Sequence, residues 1–514
     1  MSARSEKYSY IVCLVLFWAF YTFLIFDRAY VSEATFSYDA SNYLREANAL
    51  VQGYGMNFNG AAGGSAFFSW WPVGYPVLVA AVAKITGIAN MFLASKILAS
   101  LLVGLALLFF GLHFKRTSWA YALLFLNAGI LGIYDVSLSE NAFVPALIVL
   151  PFLLAKIITE EVPKTRWYLL LYLDLTALFL LRYFGLFLTF IAGLVWLCLL
   201  AYFLRKKRGD AALKNKLIRF AAAGFAAALT EGAYLLMNLR KVGYATGLPR
   251  AEMTDKLWEL KAELYQALQD ELLSLFHLQE YPLFAVNTIK AQRVLCFALF
   301  LLLLYLLYRR KKTDEAALFI LTGLAYDIIF IFIRFRSGMD PFSARFFAPA
   351  TTLILIGLLM IVWERIGSGR KPRGLYAATA LVALALFSCA YAWLSGGVPA
   401  TAYEKMRTSY EAEYREVHPR SVILEHQTTY RAEYLYFRMD VVFDGAIAPE
   451  DTLEDVLARY EMYEGIYLNR AGVKEKLDKT PEAYAPAMRA YLRTLLAESA
   501  DGAFIRLNTE EEKP

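Results

Sequence analysis

Charged residues and the usual metal ligands are scarce in this chain of 514 residues. Asp, Glu, Lys and Arg make up only 19% of it, with four His and four Cys residues. Ordinary soluble domains carry about 25% charged residues, so most of this chain is not a soluble globule. The cysteines (Cys13, Cys198, Cys296 and Cys389) lie far apart in apolar runs without metal-ligand spacing, which predicts small packing residues.

Motifs for nucleotides and nucleic acids are absent from the sequence as well. There is no phosphate-binding P-loop, and Gly53-Tyr54-Gly55 lacks the third glycine and the preceding strand of a dinucleotide fingerprint. The net charge of +6 comes from short Lys/Arg clusters between apolar runs, not from a basic face of a soluble domain. We therefore expect no nucleic acid partner.

Long apolar runs are what the sequence has in abundance, since 59% of the residues are hydrophobic. These runs predict an all-α membrane bundle with about eleven transmembrane helices. The predicted spans are 8–26, 91–114, 118–134, 141–158, 167–181, 185–204, 217–238, 294–308, 316–333, 347–363 and 375–394. The first is too long for a signal peptide and has no cleavage site after it, so we expect it to be retained.

The basic clusters between these spans predict the orientation. They occur in alternate loops, at 115–116, 164–166, 205–208, 309–312 and 370–373. Such loops face the cytoplasm, which places the N-terminus inside and everything after residue 394 outside. We therefore expect a multi-pass protein of the plasma (inner) membrane, surrounded by membrane lipids.

The sequence after residue 394 changes to a soluble composition, which predicts two domains, 1–394 in the membrane and 395–514 outside it. Strands are predicted at 421–425, 440–443, 465–468 and 503–507. Capped helices are predicted after Thr452, at 453–460, and after Thr480-Pro481, at 482–498. Alternating strands and helices predict a small α/β domain.

The first outer loop, 27–90, carries Asp39 at the head of an amphipathic helix, 41–51, that is predicted to lie in the membrane interface. A Gly/Asn-rich stretch follows, and then an aromatic shelf at 70–76. Asp39 is suited to capping the helix and also to acting as a base. A second outer helix, 252–278, has leucines at helical spacing, which predicts packing or, less favoured, substrate contact.

Ionisable residues occur mainly at the outer ends of the predicted spans. They are Asp135, Glu140, Asp174, Arg182, Glu231, Asp327, Arg334 and Arg345. Clustering near one membrane face predicts a site that takes one substrate from the lipid and another from outside. Arg182 and Arg345 are suited to holding a phosphate. The alternative for them is snorkelling or pairing with an acid such as Asp327 or Glu231.

The first outer loop resembles that of multi-span glycosyltransferases with the GT-C fold. The residues are SYDASNYLREANALVQGYG at 37–55 and WPVGYPVLVAAVAKITG at 71–87, with shorter matches SENAFVP at 139–145, RYFGL at 182–186 and RFFAP at 345–349. This class includes protein O-mannosyltransferases and lipid A aminoarabinose transferases. The resemblance implies a polyprenyl-phosphate sugar donor, transfer outside the membrane, and inversion at the anomeric carbon.

The resemblance also implies roles for individual residues. Asp39 would be the catalytic base, Arg182 and Arg345 would contact the donor phosphate, and Glu140 would be an acid at the donor or metal site. Further candidates for the substrate site are Tyr43, Trp71, Tyr75, Asp135 and Tyr183.

One departure concerns the acids of the site. Ala40 follows Asp39 where many relatives have Glu, so the second acid is Asp135, Glu140 or absent. Whether a divalent cation binds stays open. Its candidate ligands are Asp39, Asp135 and Glu140, and no other cofactor is predicted.

The sequence leaves the sugar open, and the acceptor is a glycan, a lipid or a protein. Two other functions are compatible with a membrane bundle. A lipid-linked sugar transporter or flippase would carry polar residues through the full bundle and internal repeats, which the sequence lacks. A non-catalytic membrane scaffold would present the C-terminal domain and would tolerate replacement of Asp39.

Overall fold

The computed structural model describes residues 3–27, 38–56, 67–206, 208–247, 255–275, 314–338, 344–367, 414–425, 440–499 and 502–508, with 294, 297–298, 301, 305, 342, 408 and 412 between them. The chain forms two compact units. The first comprises Met1–Ala29, Trp70–Tyr75 and Ala99–Gly397, and the second comprises Tyr30–Ser69, Pro76–Leu98 and Val398–Pro514. Part of the first outer loop therefore belongs to the same unit as the C-terminal residues.

Helices make up the N-terminal three quarters of the described chain. In chain order they are α1 (Ala3–Asp27), α2 (Tyr38–Gln52), α3 (Gly74–Thr86), α4 (Met91–Phe114), α5 (Ser118–Ala122), α6 (Ala128–Asp135), α7 (Glu140–Thr159), α8 (Thr165–Leu181), α9 (Gly185–Lys206), α10 (Ala211–Val242), α11 (Leu257–Leu275), α12 (Glu315–Arg334) and α13 (Ala344–Gly367). Short 3-10 turns, Lys115–Thr117 and Leu123–Leu126, flank α5.

Six helical segments among the described residues are long and apolar enough to cross a membrane. They are Met91–Leu126, Glu140–Thr159, Gly185–Lys206, Ala211–Val242, Glu315–Arg334 and Arg345–Glu364. Each contains one of the predicted spans, and the chain is a multi-pass membrane protein. The apolar part of α1, Tyr10–Phe26, is shorter, and α8, at the predicted span 167–181, has 17 residues. Predicted span 375–394 lies outside the described residues, and 294–308 lies largely outside them.

The predicted span 118–134 is not one continuous helix, because the chain breaks there into α5, a 3-10 turn and α6. Asn127 has an extended backbone between the last two, and its side chain accepts a hydrogen bond from Gly129 N. The same side chain donates to the Ser274 carbonyl at 3.0 Å. Asn127 thus caps α6 and also bonds to Ser274. These two roles interrupt the helix that the apolar residues around Asn127 predict.

Helices α12 and α13 pack closely because each presents a glycine to the other. A Cβ atom at Gly323 would lie 2.9 Å from the Ala350 carbonyl oxygen, and one at Gly357 would lie 2.7 Å from that of Ala316. Small residues let membrane helices approach closely. This contact fixes α13, whose first turn carries Arg345.

Two cysteines do not pack inside the bundle as the sequence predicts. Cys13 on α1 and Cys198 on α9 are free thiols on exposed helix faces. A membrane helix turns an apolar face outward, so a small apolar residue in it is equally stable on the outer side. Cys296 and Cys389 lie outside the described residues.

The second unit contains a four-stranded sheet in the order β2-β1-β3-β4. The strands are β1 (Ser421–Leu424), β2 (Val441–Gly445), β3 (Gly465–Asn469) and β4 (Phe504–Arg506). β1 runs parallel to both β2 and β3, and β4 runs antiparallel to β3. The helices among these strands are α14 (Leu453–Arg459), α15 (Arg470–Lys479) and α16 (Pro486–Glu498).

These four strands lie where the alternation of apolar residues predicts them, with small shifts at their ends. The predicted cap at Thr452 is confirmed, since its hydroxyl accepts from Asp455 N in a capping box. The predicted cap at Thr480 is wrong. A 3-10 turn follows it, and α16 begins only at Pro486, because proline is favoured at a first helical position.

Helix α2 is enclosed by its surroundings, so the predicted interfacial helix is wrong. Residues 40–49 are all buried, including Arg45 and Glu46 on the polar side. Towards its C-terminal end, Ala49 belongs to the same buried core as Val422 and Leu424 of β1. The helix is therefore buried on faces that an interfacial helix would turn to lipid and water.

Candidate functional site

Three ionisable residues that the sequence predicts for the site meet in the first unit. Arg182 and Arg345 both contact one carboxylate oxygen, Oε1 of Glu140. Arg345 Nε donates to it at 2.6 Å, and the Ser139 hydroxyl donates to the other oxygen, Oε2, at 3.2 Å. We call Glu140, Arg182 and Arg345 the Glu140 cluster. Two guanidinium groups therefore meet at one carboxylate oxygen.

The three side chains of the cluster differ in exposure. That of Glu140 is fully buried, whereas those of Arg182 and Arg345 are 16% and 28% exposed. Buried carboxylates are stable when they are paired and hydrogen-bonded, as Glu140 is. The arginine side chains of the cluster are therefore partly accessible, whereas the carboxylate of Glu140 is not.

Helix ends position two members of the cluster. Glu140 is the first residue of α7, where the helix dipole stabilises a carboxylate. Arg345 is in the first turn of α13, where the same dipole disfavours a cation. The Glu140 carboxylate supplies the charge that compensates Arg345 there. Sequence propensity alone would place a basic residue at the other end of the helix.

The turn between α8 and α9 positions Arg182. Arg182 follows α8 directly with an extended backbone, and Gly185 N donates to the Arg182 carbonyl at 2.7 Å. A Cβ atom at Gly185 would lie 2.3 Å from the backbone nitrogen of Phe179. Only glycine therefore lets α9 begin against the last turn of α8, and this close turn fixes the direction of Arg182.

Aromatic rings lie beside both arginines. The guanidinium carbon of Arg182 is 5.9 Å from the ring centre of Phe143, and that of Arg345 is 5.2 Å from Phe346. The buried ring of Tyr326 lies 6.3 Å from that of Phe143. Cations are stabilised on ring faces. Rings also exclude water, which strengthens charge interactions within the cluster.

Tyr183, next to Arg182, connects this turn with the aromatic shelf. Its hydroxyl accepts a hydrogen bond from Asn238 Nδ2 at 2.8 Å, and its ring lies 6.4 Å from that of Tyr234. The Tyr234 hydroxyl in turn accepts from Val73 N, in the shelf, at 3.1 Å. Helix α10 therefore joins the two segments.

The shelf itself lies against the end of α8. A Cβ atom at Gly74 would lie 2.5 Å from the carbonyl oxygen of Leu180, two residues before Arg182. Trp71 is partly exposed and its ring lies 5.6 Å from that of Trp70, while Tyr75 is buried. Two predicted substrate-site residues, Trp71 and Tyr75, are thus in the same unit as the Glu140 cluster.

Asp39 lies in the second unit, in the first turn of α2. The helix begins one residue earlier, at Tyr38, so Asp39 is inside it instead of at the predicted cap position. Its side chain is half-buried, and the helix dipole stabilises its charge. Tyr43, one turn further, is buried with its ring 6.4 Å from that of Phe68.

Helix α2 carries another acid, Glu46, that the sequence analysis overlooks. It follows Asp39 by two helical turns and therefore lies on the same helix face. Its side chain is fully buried, and neither carboxylate oxygen has a hydrogen-bond partner in the described part of the chain. Burial raises the pKa of Glu46 to about 9, so the group is neutral at pH 7. The spacing from Asp39 was a signal in the sequence.

The packing face of α11 is more polar than its leucine spacing predicts. Leu257 and Leu268 are exposed. The helix instead lines a cavity of about 140 Å³ together with α13, through Glu263, Gln266, Asp270, Glu271, Phe347 and Thr351. The Thr351 hydroxyl donates to Glu271 at 2.5 Å, and burial raises the pKa of Glu271 to about 8.

The acids predicted as metal ligands do not form a metal site in the described structure. No three His, Cys, Asp or Glu side chains that it describes stand close enough to hold an ion. At Glu140 one carboxylate oxygen contacts two guanidinium groups, so a divalent cation there would have to displace both. This donor set does not fit a metal ion. The side chain of Asp135, which ends α6, lies outside what the structure describes.

Sequence reasoning missed Ser139, Phe143 and Tyr326, which surround the cluster. Ser139 directly precedes Glu140, and this adjacency was the available signal. Phe143 lies within the SENAFVP match, which was a signal, but Tyr326 had none, because its contact with Phe143 joins residues far apart in sequence. The suggested pairing of an arginine with Glu231 is wrong, since Thr189 donates to Glu231 at 2.6 Å.

No family model and no curated protein matches this sequence. Among solved structures, the chain is similar to ArnT from Cupriavidus metallidurans bound to undecaprenyl phosphate, with 10% identity, a TM-score of 0.44, and 93% of this chain and 95% of that chain covered. It is also similar to the Archaeoglobus fulgidus oligosaccharyltransferase tethered with an acceptor peptide, with 15% identity, a TM-score of 0.47 and coverage of 99% and 75%.

A third similar structure is AglB from Archaeoglobus fulgidus in complex with an inhibitory peptide and a dolichol-phosphate. It shares 12% identity at a TM-score of 0.45, over 99% of this chain and 75% of that chain. ArnT and AglB are membrane glycosyltransferases with the GT-C fold, which is the class that the first outer loop of this sequence resembles.

Proposed function

We propose that this chain is an integral membrane glycosyltransferase that moves a sugar from a polyprenyl-phosphate donor to an acceptor hydroxyl. The Glu140 cluster carries the proposal. Arg182 and Arg345 bring two partly exposed side chains, each with its guanidinium group on Oε1 of Glu140, to one point of the first unit. Guanidinium groups bind phosphate oxygens through paired hydrogen bonds. The resemblance of the first outer loop supports the same reaction class.

The reaction is a single displacement. The acceptor oxygen attacks the anomeric carbon on the side opposite the phosphate, and the new C–O bond forms as the bond to the phosphate oxygen breaks. The electron pair of that bond goes to the phosphate, whose charge Arg182 and Arg345 stabilise. The hydroxyl proton goes to Asp39 as general base. A single displacement inverts the configuration at the anomeric carbon.

The remaining predicted site residues have supporting roles in this proposal. Glu140 keeps both guanidinium groups in place in the absence of donor. Trp71, Tyr75 and Tyr183 are assigned to the aromatic wall beside the donor, and Tyr43 to the side of the base. Aromatic walls suit sugar sites because they exclude water and leave charge interactions strong. Asp135 stays a candidate for the second acid.

The proposal includes the orientation that the basic loops predict. The N-terminus is cytoplasmic, about eleven segments cross the plasma membrane, the broken segment 118–134 among them, and the soluble domain after residue 394 is outside. Donor and acceptor therefore meet on the outer side, and the acceptor is a glycan, a lipid or a protein of the cell envelope.

Mass spectrometry of lipid-linked sugars in cells without the protein tests the proposal. We expect one polyprenyl-phosphate sugar to accumulate, because its consumer is missing, and to return to its normal level when the wild-type gene is restored. An unchanged lipid-linked sugar pool would contradict the donor assignment. The accumulated lipid also identifies the sugar and supplies the substrate for assays in vitro.

The substitution Asp39→Asn tests the base. Asn cannot accept the hydroxyl proton, so we expect turnover of the accumulated lipid to fall by about 10²- to 10⁴-fold, with little change in undecaprenyl phosphate binding. The turnover of Asp39→Ala should fall equally. A structural Asp39 predicts a different result, in which both variants keep their turnover and lose at most about 1 kcal/mol of stability, the value of a first-turn carboxylate.

A further inference from the structure

The C-terminal end of α2 is built into the soluble domain. After Gln52 the chain turns through Gly53, which has a left-handed backbone (φ +86°). This turn is held by hydrogen bonds from Gly53 N to Leu50 O and from Tyr54 N to Ala49 O, at 3.3 and 2.9 Å. Ala49 is part of the buried core of the sheet, and Tyr54 packs against that core.

Arg420, just before β1, covers the ring of Tyr54. Its guanidinium carbon lies 4.4 Å from the ring centre, and its Nη1 donates to Glu464 Oε1 at 2.8 Å. A cation at this distance over a tyrosine ring is attracted by the electron density of the ring face. The contact therefore joins the end of α2 to the sheet by a directional interaction in addition to apolar packing.

The backbone of Arg420 is in an uncommon conformation for a residue with a side chain. Its φ is +54°. Two backbone hydrogen bonds of 2.9 Å hold it there, from Arg420 N to Asp440 O and from Glu464 N to Arg420 O. Such conformations persist where the surroundings fix them. The sheet thus sets the direction from which this guanidinium group meets Tyr54.

We propose that Tyr54 and Arg420 are positioning residues that hold Asp39 in place through α2. The inference rests on the proposed function for its effect on turnover, and on the structure alone for its effect on the helix. Helix α2 has 15 residues, so its two ends are about 20 Å apart. Neither residue of the pair touches the reacting groups in this account. The soluble domain is then the part of the enzyme that fixes the base.

A continuous helix transmits movement of one end to the other. A displacement of about 1 Å at a catalytic group costs about 10²-fold in rate, even when its cause is remote. Loss of the Tyr54–Arg420 contact should therefore lower kcat. It should leave the binding of a phosphate ligand at the Glu140 cluster unchanged, because that cluster lies in the other unit.

Hydrogen exchange of the full chain in lipid nanodiscs tests the structural part. We expect Tyr54→Ala and Arg420→Ala to speed amide exchange in residues 38–52 by about fivefold, the effect of losing one cation–ring contact. Tyr54→Phe keeps the ring and should exchange like wild type. Glu464→Gln is the matched control, because it removes the ion pair of Arg420 and keeps the ring contact. Arg420→Gln replaces Arg420→Ala if that variant fails to fold.

Turnover and undecaprenyl phosphate binding, measured on the same variants, test the functional part. We expect Tyr54→Ala and Arg420→Ala to lower kcat by at least tenfold with unchanged phosphate affinity, and Tyr54→Phe to restore kcat. If both alanine variants exchange residues 38–52 at the wild-type rate, the inference is overturned, whether or not Asp39 is the base. Faster exchange with unchanged kcat would overturn it too. An active Asp39→Asn enzyme would instead overturn the proposed function, and the exchange result would stand.

Discussion

Arg345 contacts Glu140 through a short hydrogen bond from its Nε atom, and its side chain is partly exposed. Arg345→Lys keeps the charge but loses the two-pronged geometry and the contact with Phe346. We expect undecaprenyl phosphate to bind about 10- to 100-fold more weakly, which is the effect of losing one hydrogen bond to a charged group. Binding to the purified protein in nanodiscs measures this.

A matched control for Arg345 is Arg336, whose guanidinium group also lies over a ring, that of Phe332, at 5.5 Å. Arg336→Lys should leave phosphate binding unchanged, because Arg336 is not part of the Glu140 cluster. Equal affinities in Arg345→Lys and wild type would remove Arg345 from the phosphate site.

Glu46 makes the stability of the protein depend on pH. Its pKa is raised from 4.5 to about 9 in the folded protein, so between these values the folded state keeps a proton that the unfolded state has lost. Stability therefore falls as pH rises through this range, by at most about 1.4 kcal/mol per pH unit. Glu46→Gln should remove this fall and be more stable than wild type above pH 7.

Thermal unfolding of wild type and Glu46→Gln between pH 5 and 9 checks the expectation about Glu46. Glu450→Gln is the matched control, because it makes the same change at an exposed glutamate outside α2. A parallel pH dependence in wild type and Glu46→Gln would show that Glu46 gains a partner on folding.

At the scale of elements, the junction of α8 and α9 depends on Gly185. In Gly185→Ala the new Cβ would meet backbone atoms of Phe179 and Leu178 at 2.3–2.4 Å, so α9 must move away. We expect a loss of about 1–3 kcal/mol in stability, the usual effect of overpacking, and weaker phosphate binding because Arg182 moves too.

The control for Gly185 is on the same helix. A Cβ atom at Gly193 would have nothing within 4 Å, and alanine favours a helix over glycine by about 1 kcal/mol. Gly193→Ala should therefore melt at the same or a higher temperature than wild type, with normal phosphate binding. If Gly185→Ala behaved in the same way, the close turn would not be what holds Arg182.

Elements that rest on a local pattern were predictable from the sequence. Long apolar runs gave the helices α7, α9, α10, α12 and α13, and alternation gave the four strands. Elements that depend on one unusual residue or on a distant contact were not predictable. Asn127 breaks an apolar run by bonding to Ser274, and α3 and α15 went unpredicted. The burial of Ala49 at the end of α2 depends on residues of the distant sheet.

The candidate site was predictable in its members and not in its arrangement. Resemblance singled out Glu140, Arg182 and Arg345, yet Arg345 lies 205 residues from the carboxylate that it contacts. A single sequence contains no distances between such positions. It therefore could not distinguish pairing of Arg345 with Glu140 from pairing of Arg345 with Asp327. Glu46 was missed for a related reason, since its burial arises from neighbours outside its own helix.

For the whole molecule, the alternation of basic loops predicts the orientation. A reporter that is active only outside the cytoplasm should give a signal when fused after residue 394, and none when fused at Gly209. Each fusion is a control for the other. With a reporter that is active only in the cytoplasm, the fusion at Gly209 should give the signal and the fusion after residue 394 should be silent. The reverse result would place Asp39 in the cytoplasm and contradict the proposed donor reaction.

The lengths of two helices set the depth of the Glu140 cluster in the membrane. The spans Glu140–Thr159 and Arg345–Glu364 each have 20 residues, or about 30 Å, which is the thickness of the hydrocarbon layer. Each begins with a member of the cluster, so we expect the cluster at the boundary where lipid phosphates lie. A polyprenyl phosphate can meet Arg345 at that level while its isoprenoid chain stays among the acyl chains. Binding then requires no withdrawal of the lipid from the bilayer.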